Sequence, residues 1–236
     1  MARTKLAPQT NRLLDVLPPA ERKQLLALCE PVVLTLGETL AEPGEAIEHV
    51  YFPTESFVSL VTQIGDGSCL EVALVGNEGM LGVPLVLGIG VSPVKAVVQG
   101  GGPAWRLNAA RFGLALVDDS ALRRGLHFYL FVLMQQLGQS AGCTRFHVVE
   151  QRLARWLLMT ADRANSKTFH MTHEVLATTL GVRRVGITKA ASSLQKRNLI
   201  RYSRGDISIR NRAGLEDASC SCYQADKDTY NLMLGP

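Results

Sequence analysis

The first half of the chain changes from helical to alternating β-like segments. The stretch "NRLLDVLPPAERKQLLALCEPV" predicts a short helix, a break at Pro18–Pro19 and a second helix. Six β-like runs follow, separated by Gly, Pro and Asp: "VVLTL", "HVYF", "FVSLVT", "LEVALV", "VKAVV" and "AWRL". Their regular spacing predicts an antiparallel barrel or roll. The stretch "QIGDGS" at 63–68 predicts a hairpin turn, because Gly permits a positive φ and Asp hydrogen-bonds within turns.

A long stretch without proline follows, from Asp118 to about Ala164. Apolar and small residues recur in it at alternating spacings of four and three, which is the seam pattern of a two-stranded coiled coil. The predicted seam consists of Leu126, Leu130, Leu133, Leu137, Ser140 and Thr144. Gly138 and Gly142 are expected to loosen or bend the later turns, at a cost of up to about 1 kcal/mol each. A helix buried on its own β-roll is the alternative interpretation.

The segment "HEVLATTLGVRRVGITKAASSLQKR" at 173–197 contains two helical patterns around one glycine. Thr172 is the predicted N-cap of the first helix, and Gly181 can end that helix in a left-handed turn. Apolar residues at helical spacing give the second helix an inner face: Ile187, Ala190, Ala191 and Leu194. Its outer face carries Arg184, Val185, Thr188, Lys189 and Ser192. Two short helices around such a turn indicate a helix-turn-helix.

The next segment, "LIRYSRGDISI", alternates apolar and polar residues on both sides of "SRGD". This pattern predicts a β-hairpin with Arg204 near its tip and Gly205 in the turn. A helix-turn-helix followed directly by a basic hairpin is a winged helix. The major groove of DNA, about 12 Å wide, accepts the second helix of such a domain, while basic residues of the wing reach phosphates.

The charge of the chain is unevenly distributed. Between residues 150 and 212 there are 13 Lys and Arg against 4 Asp and Glu, whereas the remainder has 12 against 17. Opposite signs in two parts of 236 residues, with 47% hydrophobic residues to build cores, predict two modules, the second facing a polyanion. A generic solvated basic surface is the alternative explanation of the charge alone.

The basic outer face offers groups suited to reading base edges. Arg184 and Lys189 can donate to guanine O6 and N7, Arg184 through both prongs of its guanidinium. Thr188 can meet a phosphate or a thymine methyl group. These side chains are the predicted base-contacting set.

A second group suits the DNA backbone. Arg201 and Arg204 are expected to bind phosphates without reading sequence, and Thr172 can donate to a phosphate at a helix N-terminus. Arg183, at the start of the second helix, suits a phosphate contact as well as a base contact. Winged helices also serve as protein-interaction modules. Against that alternative stand nine basic residues and one acid between 183 and 212.

The cysteine pattern predicts buried thiols rather than a metal site. Cys29, Cys69 and Cys143 stand alone in apolar surroundings, as is common in a reducing compartment. Cys220 and Cys222 form a C-x-C pair. No second Cys pair and no nearby His completes four ligands along the sequence, so neither zinc nor an iron–sulfur cluster is expected.

The sequence predicts neither an enzyme nor a membrane protein. It contains no nucleophile–base–orienter set, no phosphate-binding loop and no G-x-S-x-G, so no catalytic residues are predicted. The β-roll has a single histidine, His49, too few for a cupin-like metal site. Neither a secretory signal nor a run of roughly 18 apolar residues is seen, so a soluble, cytoplasmic protein is expected.

These parts together resemble the bacterial regulators named after the cyclic-AMP receptor protein and the fumarate–nitrate regulator (Crp/Fnr). The resemblance lies in "GETLAEPGEAIEHVYFPTESFVSLV", "GNEGMLG", the long helix and "LGVRRVGITKAASSLQKRNLIRYSRGDISI". It implies an α+β fold with a cyclic-nucleotide-binding-like β-roll (1–117), a central dimerisation helix (118–147) and a winged helix-turn-helix (148–236). It further implies a homodimer, joined through Leu126, Leu130, Leu133 and Leu137. This dimer would bind palindromic double-stranded DNA, with RNA polymerase as a further candidate partner.

The chain departs from the family pattern at several positions. Arg184, Val185 and Lys189 match the base-reading positions, but the best-known members carry a Glu where Val185 stands, so a different DNA site is expected. In the β-roll, Glu78 is available for a ribose hydroxyl, whereas "SPVKAVV" offers Lys95 in place of the phosphate-binding Arg. Cyclic nucleotide binding is therefore not expected, and Glu78 and Lys95 are only weak effector candidates.

Other sensor chemistries of the family also lack their residues. Its iron–sulfur sensors use clustered N-terminal cysteines, and only Cys29 lies in that region. His49, His127 and His147 qualify as haem ligands by residue type alone. No cofactor is therefore predicted, and the sequence does not identify the effector, the target promoters or the direction of regulation.

Overall fold

The structure is a computed structural model that describes residues 10–65, 69–118, 120–164 and 166–235. The helices are α1 (Arg12–Asp15), α2 (Pro19–Leu28), α3 (Ala109–Asp118), α4 (Ser120–Phe146), α5 (Val149–Ala164), α6 (His173–Leu180), α7 (Arg184–Lys196), α8 (Arg212–Ala218) and α9 (Cys222–Leu234). The strands are β1 (Glu30–Leu34), β2 (Thr39–Ala41), β3 (His49–Pro53), β4 (Phe57–Gln63), β5 (Cys69–Val75), β6 (Lys95–Gly100), β7 (Gly102–Asn108), β8 (Thr168–His170), β9 (Ile200–Ser203) and β10 (Asp206–Ile209). The predicted α+β class is confirmed.

Strands β1 to β7 form the predicted antiparallel β-roll from two sheets. One sheet has the order β1-β7-β3 and the other β2-β6-β4-β5. An apolar cluster with members from both sheets, including Val58, Val98 and Ala104, is almost completely buried. Each predicted β-like run forms a strand, and β2, only three residues long, was not predicted. Gln63 pairs with Cys69 across β4 and β5, as a hairpin requires, although 66–68 of the predicted turn lie outside the described residues.

Helix α4 packs along the β-roll and runs without interruption past Gly138 and Gly142. Its inner face contributes Leu122, Leu126 and Tyr129 to the second apolar cluster of the roll, together with residues of α1 and α3. That burial fixes which side of α4 remains open to solvent.

Helix α9 returns from the C-terminal part of the chain and packs along α4. The Tyr230 hydroxyl donates to the Glu78 carbonyl at 3.1 Å, and the Arg12 guanidinium lies over the Tyr230 ring, 4.5 Å from its centroid. The segment predicted as one DNA-binding domain, 148–236, therefore ends in a helix that contacts the central helix and the roll.

The winged domain is built on α5 and contains its own apolar core. Leu153, Leu157, Leu176, Ile187 and Leu194 are at most 1% exposed and belong to one cluster. Strands β8, β10 and β9 form a small antiparallel sheet at its edge. The chain passes from α4 to α5 between Phe146 and Val149, close to the predicted module boundary.

A buried ion pair joins the winged domain to the β-roll. The Arg163 Nε group of α5 donates to Glu78 Oε1 at 2.7 Å and to the Leu74 carbonyl at 3.0 Å. The Gly76 amide donates to the second Glu78 oxygen at 3.1 Å. A Cβ on Gly76 would lie 2.4 Å from Arg163 Cβ, so only glycine allows this approach. Both charges are compensated within the interface.

The second polar contact between these units involves Glu71 of β5. Trp156 Nε1 donates to Glu71 Oε1 at 2.8 Å, and the Ser59 hydroxyl donates to Oε2. Although the residue as a whole is partly exposed, the carboxylate is enclosed by these neighbours. Burial raises the pKa of Glu71 from its ordinary value of 4.5 to about 7.

Arg163→Met tests the buried ion pair, because it keeps most of the aliphatic length and removes the charge that compensates Glu78. An uncompensated buried charge costs about 3–5 kcal/mol. We expect the midpoint of urea unfolding, followed by circular dichroism, to fall accordingly. The control Arg22→Met breaks a solvent-exposed pair with Asp15 and should cost less than about 1 kcal/mol. Equal losses in the two variants would contradict a stabilising role for the Arg163–Glu78 pair.

The raised pKa of Glu71 predicts a pH dependence of stability. Between pH 4.5 and about 7 the folded chain holds a proton that the unfolded chain releases, so unfolding becomes easier as pH rises through this window. The effect reaches at most ~3 kcal/mol. Glu71→Gln should abolish this contribution and be more stable than the original chain at pH 8. Glu45→Gln, at an exposed position of the roll, should retain it; an unchanged pH profile in Glu71→Gln would refute the assignment.

Candidate nucleic-acid interface

The two helices of the predicted helix-turn-helix are positioned by local chemistry. Thr172 caps α6, its hydroxyl oxygen accepting the Val175 amide hydrogen bond at 3.3 Å. Gly181 ends α6 in the left-handed region, with φ 60° and ψ 45°. The Arg152 guanidinium donates to the Leu180 carbonyl, which is one of the carbonyls left unpaired at the end of α6. Helix α7 begins three residues after Gly181 and is thereby held across α6.

The two faces of α7 divide as the sequence predicts. Ile187, Ala190, Ala191 and Leu194 are buried in the domain core. The outer face, which we call the recognition face, consists of Arg184, Val185, Thr188, Lys189 and Ser192, all exposed. Val185 is 59% exposed, which leaves it free to contact a partner. The recognition face is therefore open, basic and apolar at one position.

Arg184 is held only weakly within the chain. Its Nε lies 3.8 Å from Glu174 Oε2, and both side chains are at least 70% exposed. Such exposed pairs contribute little and are screened by salt, so a phosphate or a base edge can replace Glu174. The Arg183 side chain, at the N-cap position of α7, makes no capping hydrogen bond.

A contact between His173 and Thr188 joins α6 to the recognition face. The Thr188 hydroxyl donates to the Arg184 carbonyl at 3.1 Å, and its oxygen lies 3.1 Å from His173 Nδ1. Since Thr188 has only one hydrogen to donate, His173 Nδ1 must carry the proton in the second bond. Burial, followed by the charge of Arg184, lowers the pKa of His173, which favours this neutral form.

The same histidine supports the wing. The His173 and Tyr202 rings stack with centroids 4.2 Å apart and planes 18° from parallel. The Tyr202 amide also donates to Gln195 Oε1 of α7 at 2.7 Å. Sequence reasoning did not identify His173 or Gln195 as part of this site, because the stacking partners lie 29 positions apart and no local spacing relates them.

The wing is a two-residue hairpin between β9 and β10. Arg204 and Gly205 have φ values of 53° and 91°, as a type I′ turn requires at both central positions. A Cβ on Gly205 would lie 2.6 Å from the His170 ring, which explains the glycine. His170 Nδ1 lies 2.8 Å from Asp206 Oδ1. The predicted turn is confirmed, and it places Arg204 at the tip.

Three arginines line a shallow groove on the wing. Arg201, Arg204 and Arg210 surround it together with Thr168, Ser203 and Ser208, and with one acid, Asp206, which is paired with His170. Guanidinium and hydroxyl groups are donors suited to phosphate oxygens. Arg210 is an addition to the predicted phosphate-binding set, and its position just after β10 was the available signal.

The two effector candidates of the β-roll are each committed to another partner. Glu78 is 7% exposed, and its carboxylate pairs with Arg163, as described above. Lys95 Nζ pairs with Glu42 Oε1 at 2.7 Å. A cavity between α4, α5 and α9 is lined by Glu78 but not by Lys95. The arrangement therefore does not support Glu78 and Lys95 as a joint nucleotide site.

The predicted dimer seam is shifted on the surface of α4. Leu126 is 1% exposed, so its assignment to a dimer seam is wrong. Leu130 and Leu133 are partly buried against the core of the same chain, and their place in a seam stays a prediction. Leu137 is 39% exposed. Among the described residues, the exposed large apolar side chains of α4 are Phe128, Phe131, Met134, Leu137 and, at its last position, Phe146. The spacing pattern did not identify the solvent-facing side of α4, because the helix carries two apolar faces and only packing shows which one covers the roll.

The expectation that no histidine completes a ligand set with the C-x-C pair is also wrong. Cys143, His147, Cys220 and Cys222 place their ligand atoms within 4.8 Å of one another. The expectation considered residues close in sequence, whereas α9 brings its pair back to the end of α4, more than 70 positions away.

Comparisons with known proteins agree with this geometry. Residues 151–218 match the family described as the Crp-like helix-turn-helix domain. No curated protein sequence is detectably similar to the chain. Within the described residues, none of the helices combines the length and apolar character needed to cross a membrane.

Several solved structures share the fold. FixK2 from Bradyrhizobium japonicum is 16% identical, with a TM-score of 0.69 over 82% of this chain and 98% of that chain. TTHB099, a CRP-family regulator from Thermus thermophilus, is 18% identical, with a TM-score of 0.65 over 80% and 96%. The c-di-GMP responsive regulator CLP from Xanthomonas campestris is 14% identical, with a TM-score of 0.65 over 81% and 99%. The predicted resemblance to Crp/Fnr regulators is thus confirmed for the fold and the helix-turn-helix.

Proposed function

We propose that this chain, with a Crp-like helix-turn-helix on a Crp/Fnr fold, is a sequence-specific DNA-binding transcription regulator that acts as a homodimer. The observation that carries the proposal is the open recognition face of α7 beside an arginine-lined wing. An α-helix of this kind fits the major groove, and a flanking hairpin reaches the neighbouring backbone.

Base reading is assigned to the recognition face. The Arg184 guanidinium, released from Glu174, donates to guanine O6 and N7, and Lys189 donates to a base edge one turn further along. Val185 contacts a thymine methyl group, because an apolar side chain cannot accept a hydrogen bond from cytosine N4. The Thr188 hydroxyl is already bonded to the Arg184 carbonyl and to His173, so its methyl group is what remains for DNA.

Backbone binding is assigned to residues around the recognition face. The Thr172 oxygen accepts the Val175 amide, which leaves the hydroxyl hydrogen to donate to a phosphate. Arg183, Arg201 and Arg204 bind further phosphates, with Arg210 beside them in the wing groove. These contacts set affinity and position, and the recognition face sets the preferred sequence.

The dimer is assigned to the solvent-facing side of α4. Phe128, Phe131 and Met134 form an apolar stripe, between 41% and 68% exposed, which a monomer leaves in water. A Cβ added to Gly138 or Gly142 would meet open space, so a second helix can approach closely at that end. A twofold pair of chains would present two recognition faces to the two halves of a palindrome.

The regulatory role follows from connectivity. The recognition face is rigidly attached to α5, which contacts the β-roll through Trp156 and Arg163. A signal that alters the roll or α4 would therefore change the separation of the two recognition faces. RNA polymerase is proposed as a further partner, because a regulator bound at a promoter meets the polymerase there. No catalytic step is part of the proposal.

Replacing both Arg184 and Lys189 with Ala tests the recognition face. Each base contact is worth about 1–3 kcal/mol, so the affinity for the preferred duplex should fall ~30-fold or more. The duplex is first obtained by selection from a random library, and affinity is measured by fluorescence anisotropy. The control Lys23→Ala with Arg111→Ala removes the same charge from exposed positions of α2 and α3 and should leave affinity nearly unchanged. An affinity for the selected duplex that is unchanged by the Arg184 and Lys189 substitutions would contradict the assignment.

Salt separates the proposal from a protein-interaction module. Binding to duplex DNA releases counterions, so the logarithm of the affinity should fall linearly and steeply with the logarithm of salt concentration. A shallow slope, with no preference for the selected duplex over an unrelated one, would favour the protein-interaction alternative.

Charges on the α4 stripe should disrupt the dimer. Phe131→Glu with Met134→Glu places four carboxylates in the twofold interface, and each costs free energy when it leaves water. We expect the dissociation constant to rise at least ~100-fold, which corresponds to about 3 kcal/mol. Light scattering coupled to size-exclusion chromatography measures the mass. Leu114→Glu, on an exposed apolar residue of α3, should remain dimeric; a double variant that is still dimeric would place the interface elsewhere.

A further inference from the structure

Four potential metal ligands converge where the central helix meets the start of α9. Cys143 lies in the last turn of α4, and His147 follows one turn later, its amide donating to the Cys143 carbonyl at 3.1 Å. Cys220 and Cys222 flank Ser221, directly before and at the first residue of α9. One helical face and one short C-x-C segment therefore supply two ligands each.

The separations fit a single tetrahedral ion. Cys143 Sγ lies 3.5 Å from Cys220 Sγ, and Cys222 Sγ lies 3.4 Å from His147 Nδ1. A tetrahedral zinc site, with Zn–S of about 2.3 Å and Zn–N of about 2.0–2.1 Å, puts its ligand atoms about 3.5–3.8 Å apart. All four ligand atoms lie within 4.8 Å of one another, so side-chain rotations that shift these atoms by about 1 Å complete the tetrahedron.

The surroundings suit an ion better than an ordinary apolar core. Cys143, Cys220 and Cys222 are at most 3% exposed and form a cluster that contains no other apolar side chain among the described residues. The Gln139 amide donates to Cys222 Sγ at 2.9 Å, which is the kind of outer hydrogen bond that orients a metal-bound thiolate. Three thiolates and one neutral imidazole around Zn²⁺ carry a net charge of −1.

We propose that Cys143, His147, Cys220 and Cys222 bind one structural zinc ion per chain. Three sulfur ligands and one imidazole nitrogen form a closed set of the kind found in structural zinc sites, with no open position for a substrate. On binding, each thiol loses its proton to solvent and the imidazole binds through its unprotonated nitrogen. The proposal goes beyond DNA binding and does not depend on it.

The position of the site assigns it a mechanical role. It includes His147 of the 146–149 connection, through which α4 passes to the winged domain, and it fastens the start of α9 to the end of α4. The loop closed between Cys143 and Cys220 contains the whole helix-turn-helix and its wing. Zinc would therefore fix the winged domain at both of its chain ends.

The test measures the metal in the full-length protein, purified with reductant and without chelator. Elemental analysis should find one zinc per chain. Replacement of zinc by Co²⁺ should give the intense visible bands of tetrahedral cobalt together with a thiolate-to-cobalt charge-transfer band. Cys220→Ser with Cys222→Ser should lose the zinc and the charge-transfer band. The control Cys29→Ser, which alters a half-buried thiol of the roll bonded to the Leu25 carbonyl, should keep both.

The outcomes separate zinc from its alternatives. Protein that binds neither zinc nor cobalt after reduction, or whose zinc content is the same in both cysteine variants, overturns the proposal. Stoichiometric iron with inorganic sulfide, or a Cys143–Cys220 disulfide in metal-free protein, also overturns it. If the double Ser variant fails to fold, Co²⁺ titration of the unaltered chain decides, because a spectrum without thiolate charge transfer refutes the site. A lower melting temperature after chelation, with DNA left out, supports the role as a fastening.

Discussion

The structure depends on the burial of α5 around almost its whole circumference, which forces three arginines of one helix to find partners in three different parts of the chain. Arg152 donates to the carbonyl end of α6, Arg155 pairs with Asp226 of α9 at 2.7 Å, and Arg163 pairs with Glu78 of the β-roll at 2.7 Å. A buried guanidinium without a partner is too costly to retain, so each pair fixes one neighbour of α5 in place. Helix α5 thereby connects the winged domain, the β-roll and α9.

The contacts of α5 determine how a signal from the β-roll can reach the DNA-binding surface. The recognition helix α7 packs on α5 through Ile187 and Leu194, so the two move as one body. The contacts of α5 with the roll combine the polar pairs at Glu71 and Glu78 with one small apolar cluster of Ala164 with Phe57 and Leu74. Polar pairs of this type are either made or broken, and they do not stretch gradually, which favours two discrete arrangements over a continuum. A regulator needs such a choice, because DNA half-sites have a fixed separation.

The helix-turn-helix and the wing could be predicted from the sequence, whereas the contacts of α5 with the rest of the chain could not. In α7 and the wing, the information is local: Ile187 and Leu194 repeat with the helical period, and Arg204–Gly205 interrupts an alternating hairpin. The partners of Arg163 and Trp156 lie 85 positions away, beyond any periodic pattern. The same limit explains the error about the α4 seam. Leu126 and Phe131 are equally apolar, and only the packing of the roll decides which one is left for a second chain.

Distance along the chain also explains why the cysteine cluster escaped prediction although all its residues were recognised individually. Cys143 and His147 look like a helical pair with no partners, and Cys220 and Cys222 look like half of a site. They meet only because α9 folds back on α4, and the Arg155–Asp226 pair holds α9 there. Helix α5, which carries the recognition helix α7, thus also holds α9 against the end of α4. A movement of α5 relative to α4 is transmitted to the cluster, since the 146–149 connection and the C-x-C segment are the covalent routes between the winged domain and the pair of helices α4 and α9. Chemistry at four side chains can therefore set the geometry of a surface that none of them touches.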